Sequence, residues 1–158
     1  MAKEIERKFL VSGSSYRTQA VKATELTQAY LSTNADCTVR VRIAGDRAFL
    51  TVKSRNRGAV RGEWEYEIPL ADARAMIGEC AVTVPLAKTR YLVPAAGGLT
   101  WEVDEFHGAL APLVLAEIEL PEADAPLPCP LPDFIGKEVT GDPEYYNSRL
   151  AERLAEEG

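Results

Sequence analysis

The feature that most constrains this chain is how its strand-like segments sort their charges. Through most of the first 120 residues, apolar and polar positions alternate with the period of two of a β-strand. The polar positions carry charge. Glu4, Glu6 and Lys8 alternate with Ile5, Arg7 and Phe9; Arg40 and Arg42 with Val39, Val41 and Ile43; and Glu63, Glu65 and Glu67 with Trp64, Tyr66 and Ile68. Lys88 and Arg90 alternate with Thr89, Tyr91 and Val93; Glu102 and Asp104 with Trp101 and Val103; and Glu117 and Glu119 with Ala116, Ile118 and Leu120. A half-buried antiparallel sheet with one solvated face also alternates. Such a face, however, mixes hydroxyls, amides and both signs, because like charges two residues apart repel. Here five or more strands carry like-charge pairs at i and i+2.

Closing the sheet into a barrel turns those faces inward and gathers nine acids (the seven glutamates Glu4, Glu6, Glu63, Glu65, Glu67, Glu117 and Glu119, with Glu102 and Asp104) around six bases (Lys8, Arg40, Arg42, Lys53, Lys88 and Arg90). An empty lumen of that kind is expensive. Its chemically matched filling is a polyanion on the cations and divalent metal on the carboxylates, because hard oxygen ligands suit Mg²⁺ or Mn²⁺.

One hairpin can be registered from sequence. Val39 to Ala44 and Arg47 to Lys53 flank Gly45-Asp46, a two-residue turn with glycine first. Ala44 then opposes Arg47, Arg42 opposes Phe49 and Arg40 opposes Thr51, with Lys53 on the face of both arginines. Val39, Val41 and Ile43, with Ala48, Leu50 and Val52, form an apolar face that protein must cover. Cross-strand neighbours lie about 4.5–5.5 Å apart, so the three cations form one cluster.

Between and after the strands, residues 14–24 read as a connector with a helical turn, and Asp72 to Cys80 as a short helix after Pro69. Residues 121–132 hold five of the ten prolines and read as an irregular connector. Asp142-Pro143-Glu144 supplies a cap, a first-turn proline and a first-turn acid for a C-terminal helix striped by Tyr146, Leu150 and Leu154. Trp64, Trp101 and Tyr91 fall on apolar faces as packing residues, and His107 reads as a loop or surface residue.

With 158 residues the chain fits one domain over 1–158, of α+β class and mostly antiparallel β. Its net charge of −6 argues against a sequence-independent nucleic-acid binder. That charge is uneven: residues 1–116 carry 15 bases and 13 acids, residues 117–158 only 3 and 11, so a basic body sits under an acidic total. The charged start and the lack of a long apolar run point to a soluble, cytoplasmic protein. Cys37, Cys80 and Cys129 fit neither a disulfide framework nor a zinc site.

Glu4-Ile5-Glu6-Arg7-Lys8 resembles the E-x-E-x-K signature of the CYTH superfamily, the triphosphate tunnel metalloenzymes. Q-x-Y-L at Gln28, R-x-R at Arg40, T-x-K at Thr51, R-x-E-x-E at Arg61, K-x-R-Y at Lys88, E-x-D at Glu102, E-x-E at Glu117 and a terminal G-x-E-V-T…Y-x-N from Gly136 to Asn147 follow in family order. The resemblance implies a closed eight-stranded β-barrel tunnel with flanking helices and a C-terminal helix. Lys8, Arg40, Arg42, Lys53, Lys88 and Arg90 would bind phosphate, and Glu4, Glu6, Glu63, Glu65, Asp104, Glu117 and Glu119 would form the metal side. Lys8 and Tyr30 resemble the lysine–tyrosine pair at the reacting end of short bacterial members. The resemblance leaves the place of Glu102 on that side open, and Glu67, one step beyond the E-x-E pair, stays outside it as a residue of the tunnel mouth.

The activity the resemblance favours is metal-dependent hydrolysis of tripolyphosphate to pyrophosphate and phosphate by in-line attack of water, with Mg²⁺ or Mn²⁺ as cofactor. Adenylate cyclisation of class IV type, thiamine triphosphate hydrolysis and non-catalytic polyphosphate or nucleotide binding are the alternatives. The expected partner is a small-molecule triphosphate, with no nucleic acid and no membrane; a homodimer is compatible with this reading. Arg55 and Arg57 read as residues of a solvated turn.

Overall fold

The computed structural model describes residues 3–157. Nine strands form in chain order: β1 (Lys3–Val11), β2 (Lys22–Asn34), β3 (Cys37–Ala44), β4 (Arg47–Ser54), β5 (Val60–Ile68), β6 (Leu86–Pro94), β7 (Thr100–Phe106), β8 (Val114–Glu119) and β9 (Ile135–Glu138). Three helices accompany them: α1 (Tyr16–Gln19), α2 (Leu70–Cys80) and α3 (Asn147–Glu157). The strand order β5-β4-β3-β2-β6-β7-β8-β1 closes on itself through β1–β5, and every pairing is antiparallel. The result is a closed eight-stranded barrel, with β9 extending the sheet beside the far end of β1.

The β3–β4 hairpin has the expected register, Ala44↔Arg47, Arg42↔Phe49 and Arg40↔Thr51. Gly45 takes φ +64°, the left-handed conformation that a glycine-first turn needs. In β2 the pairing with β3 slips between Tyr30 and Ser32, so the extra residue, Leu31, joins the outer cluster under α2.

Three apolar clusters cover the wall. On β3 and β4, Val41 and Ala48 pack against Ala73 of α2, with Ile43, Leu50 and Met76 around them. On the β1, β6, β7 and β8 side, Phe9, Trp101, Val103 and Ile118 pack with Tyr16 of α1 and with Phe134, while Ala125 and Leu127 of the proline-rich segment lie over them. That segment is thus part of the barrel's cover as well as a connector. At one end of the barrel Leu86, Phe106 and Leu115 pack against Leu150 and Ala151, which seats α3 there. Among the described residues no helix is long and apolar enough to cross a membrane.

Four expectations change. Trp64 is 42% exposed, because α2 reaches β3 and β4 but leaves the outer face of β5 open. Asp142 accepts from the Glu144 backbone N–H at 3.1 Å, yet it caps a separate 3₁₀ turn, Pro143–Tyr145. Tyr146 lies between that turn and α3, so the helix stripe begins with Leu150. Finally, β2 starts at Lys22, inside the segment expected to be a connector. Trp101 is fully buried, Tyr91 packs edge-on to Tyr16, and the three cysteines are free and exposed.

Candidate active site

The inward faces enclose a cavity of about 200 Å³. Lys8 and Tyr30 line it, as do Arg40, Arg42, Lys53, Lys88 and Arg90 and the carboxylates Glu4, Glu6, Glu63, Glu65, Glu117 and Glu119. Of the residues expected from sequence, Asp104 alone stands apart from this lining. The strand period explains the gathering: each lumen residue is two positions from the next on its strand, and register brings neighbouring strands into the same ring. Gln28 pairs with Arg42, Tyr30 with Arg40, Arg40 with Thr51, Thr51 with Glu65, and Lys53 with Glu63.

Each cation is held differently. Lys53 Nζ lies 3.2 Å from Glu4 and 3.2 Å from Glu63, across the seam where β1 meets β5. Arg61 reaches Glu4 at 3.4 Å across the same seam. Arg40 donates to Thr51 Oγ1 at 3.3 Å and lies 3.6 Å from Glu65, while its buried Nε has no hydrogen-bond partner. An unpaired buried guanidinium donor beside the lumen is suited to an oxyanion. Arg42 donates its Nε to Gln28 Oε1 at 3.1 Å and has no carboxylate within 4.0 Å among the described residues. Burial, then the charges of Arg40 and Arg90, bring its pKa down to about 9.

Asp104 is fully buried and bridges two cations, at 2.7 Å from Lys88 Nζ and 2.8 Å from Arg90 Nε. Burial opposes ionisation, yet Arg90 and Lys88 hold its carboxyl below the usual carboxylate range. In this geometry both of its oxygens are engaged by Lys88 and Arg90. Lys88 is itself lowered to about 7, by burial against the pull of Asp104 and with the repulsion of Arg90 and Arg42. Lys8 lies 3.7 Å from Glu117, donates to the Tyr145 carbonyl at 2.9 Å and sits 5.9 Å from the centre of the Tyr146 ring.

The acids of β1, β7 and β8 converge across the barrel from β3 and β4, while Glu63 and Glu65 of β5 stand beside β4. Oxygen atoms of Glu6, Glu102 and Glu117 come within 4.8 Å of one another. Glu102, whose place in the set the sequence leaves open, has the inward parity of Asp104; it lines the cavity and also accepts from Arg90 at 3.1 Å. Burial and the adjacent Glu117 charge raise the Glu6 carboxyl well above its ordinary range. Glu117 goes the other way: burial opposes it, but Lys8 and a hydrogen bond from Glu6 hold it well below. Glu119 is raised by burial and by the charges of Glu4 and Glu102. Three crowded carboxylates form a hard, anionic donor set that fits Mg²⁺ or Mn²⁺.

The lining also takes in residues to which the sequence assigns no site role: Thr51, Arg61 and Asn147 of the quoted motifs, Tyr146 of the expected helix stripe, and Thr38 and Ser148. Arg61 carried a signal in its spacing of two from Glu63. Glu67 is bound by Arg47 at 2.8 Å at an exposed position outside the lining.

The family model of the CYTH domain matches residues 2–128. The chain belongs to the CYTH domain family. Two CYTH-length relatives are named inorganic triphosphatase. The one from Acetivibrio thermocellus is 46% identical over 150 residues, covering 95% of this chain and 94% of its own length. The one from Nitrosomonas europaea is 37% identical over 149 residues, covering 94% and 96%. Among solved structures, the inorganic triphosphatase NE1496 superposes with a TM-score of 0.60 at 34% identity, covering 93% of this CYTH chain and 96% of that one.

Proposed function

We propose that this protein hydrolyses inorganic triphosphate to pyrophosphate and phosphate with Mg²⁺ or Mn²⁺ as cofactor. The observation that carries the reading is that one lumen holds both open cationic donors, Arg42 with no carboxylate within 4.0 Å and Arg40 Nε with no partner among the described residues, and the carboxylate trio Glu6, Glu102 and Glu117. The relatives named inorganic triphosphatase, at 46% and 37% identity over nearly the whole chain, support the same activity.

In this reading Arg40, Arg42, Lys53, Lys88 and Arg90 bind and neutralise the phosphoryl oxygens, and Asp104 keeps Lys88 and Arg90 aimed. Glu6, Glu102 and Glu117 hold the divalent ion, with Glu4, Glu63, Glu65 and Glu119 around the same lumen. When bound, the ion supplies charge neutralisation on the triphosphate and polarisation of the reacting oxygens. Lys8 and Tyr30 orient the attacking water or protonate the leaving oxygen at the reacting end. Tyr30 is buried and lines the lumen beside its cross-strand partner Arg40.

The lining is charged or hydrogen-bonding almost throughout, which favours an all-oxyanion substrate over a nucleotide whose base needs an apolar face. The three free, exposed cysteines support a reducing, cytoplasmic setting. A phosphate-release panel of tripolyphosphate, thiamine triphosphate, ATP and pyrophosphate tests the reading. Tripolyphosphate is expected to have the highest kcat/KM. Faster conversion of ATP to cyclic AMP, or faster hydrolysis of thiamine triphosphate, would overturn the substrate assignment.

A further inference from the structure

Two neutral side chains in the lumen wall are tied to the cations in a way that charge patterning does not reveal. Gln28 of β2 is fully buried, and Asn147 is the first residue of α3. Arg42 Nε donates to Gln28 Oε1 at 3.1 Å, Gln28 Nε2 donates to Asn147 Oδ1 at 3.1 Å, and Lys88 Nζ donates to the same Asn147 oxygen at 2.8 Å. The chemistry sets the direction of every bond. Arginine and lysine can only donate, so Gln28 must turn its oxygen to Arg42 and Asn147 its oxygen to Lys88. The contact left between the amides is then N–H of Gln28 to the oxygen of Asn147.

We propose that Gln28 and Asn147 are positioning residues, an amide relay that aims Arg42 and Lys88 at the substrate and makes both depend on α3 being seated. The proposal rests on the reading of the lumen as a triphosphate site. Arg42 and Lys88 stand on different strands, β3 and β6, and the relay spans the β2 strand between them. A neutral amide suits this task. A carboxylate at position 28 would neutralise Arg42, and one at position 147 would add a second negative charge to Lys88 beside Asp104, whereas an amide oxygen holds the donor without either effect. The remaining guanidinium donors of Arg42 stay available to an anion, as does the one N–H of Lys88 that neither Asn147 nor Asp104 takes. The α3 end is anchored by Leu150 and Ala151, both fully buried against the apolar end of the barrel, so Asn147 is delivered by packing rather than by its own contacts.

The test compares wild type with Gln28→Met, which keeps the volume and removes both hydrogen bonds, and with Asn147→Ala. KM for tripolyphosphate should rise roughly tenfold to a hundredfold in each, as expected for losing a buried hydrogen bond to a charged group that binds ground state and transition state alike. The kcat should change far less, and the double variant should be no worse than the worse single one. A second readout is independent of activity. The Arg42 Nε–H resonance in ¹⁵N NMR should be protected from exchange in wild type and lose that protection in Gln28→Met and Asn147→Ala. It should persist in Asn147→Asp, which keeps an oxygen for both donors. If Gln28→Met does not fold, Asn147→Ala at its half-buried helix start carries the same expectations. Unchanged KM with an unchanged Arg42 resonance overturns the relay, as does a loss confined to kcat. If wild type does not turn over tripolyphosphate, the reading of the lumen falls, and the NMR arm still decides whether the amides hold Arg42.

Discussion

Glu6 on β1 and Glu117 on β8 bring carboxylate oxygens within 4.8 Å of each other, and burial beside the Glu117 charge favours the protonated form of Glu6. A divalent ion needs both groups ionised, so its binding must displace that proton. Below the raised pKa of Glu6, proton and ion compete; apparent affinity for Mn²⁺ should therefore climb with pH from the ordinary value of 4.5 upward and level off once Glu6 is ionised. Calorimetric titration of Mn²⁺ at mildly acidic pH, in buffers of different ionisation enthalpy, should show release of about one proton per ion. Heats independent of buffer would contradict the proton on Glu6.

The same raised carboxyl makes Glu6 a cost to the metal-free fold. A carboxyl whose folded pKa lies above its unfolded value destabilises the protein above 4.5, and the cost is complete once pH passes the folded value. Glu6→Gln should therefore melt higher than wild type at neutral pH without metal, with the difference vanishing below 4.5, while turnover is largely lost. A lower melting temperature at neutral pH would show that the carboxylate contributes to the fold.

Asp104 has the opposite character. Its folded pKa is depressed, so its contribution is present above the unfolded value of 3.8 and disappears as pH falls through the folded one. Asp104→Asn leaves Lys88 and Arg90 buried without their common partner, a loss of about 3–5 kcal/mol seen when one member of a buried pair is removed. Chemical denaturation at neutral pH measures it. A variant of wild-type stability with weakened Mn²⁺ binding would return Asp104 to the metal side.

Arg42 and Val41 are adjacent in β3 and face opposite ways. Arg42 has a folded pKa of about 9 against an ordinary 12.5, so its cation costs the empty protein stability at every pH below about 9. Arg42→Ala should leave the ligand-free melting temperature unchanged or raised and abolish most of the stabilisation by tripolyphosphate. Val41 is fully buried under α2, so Val41→Asp should destabilise the whole barrel by several kcal/mol, on the order of 3 or more. Thermal melts with and without tripolyphosphate compare the two, and the reverse pattern would contradict the facing of β3.

What was legible in the sequence was local. The β3–β4 register followed from a two-residue turn that leaves no slack, and the inward set followed from a period that puts every second residue on one face. What was not legible depends on contacts between distant residues. Alternation turns both Glu102 and Asp104 inward, but only depth in the lumen decides that Asp104 meets Lys88 and Arg90 while Glu102 joins Glu6 and Glu117. Trp64 looks like a packing residue until the reach of α2 is known. Gln28 and Asn147 are 119 positions apart and uncharged, so no pattern of charge or period links them.

Hydrolysis itself is the most direct test of the central claim. Tripolyphosphate incubated with the protein and followed by ³¹P NMR should give pyrophosphate and phosphate in equal amounts with Mg²⁺ or Mn²⁺, and should remain intact with excess chelator. Undiminished turnover in chelator, or an intact substrate in the presence of either metal, would contradict the account of the lumen as a metal-dependent triphosphate site.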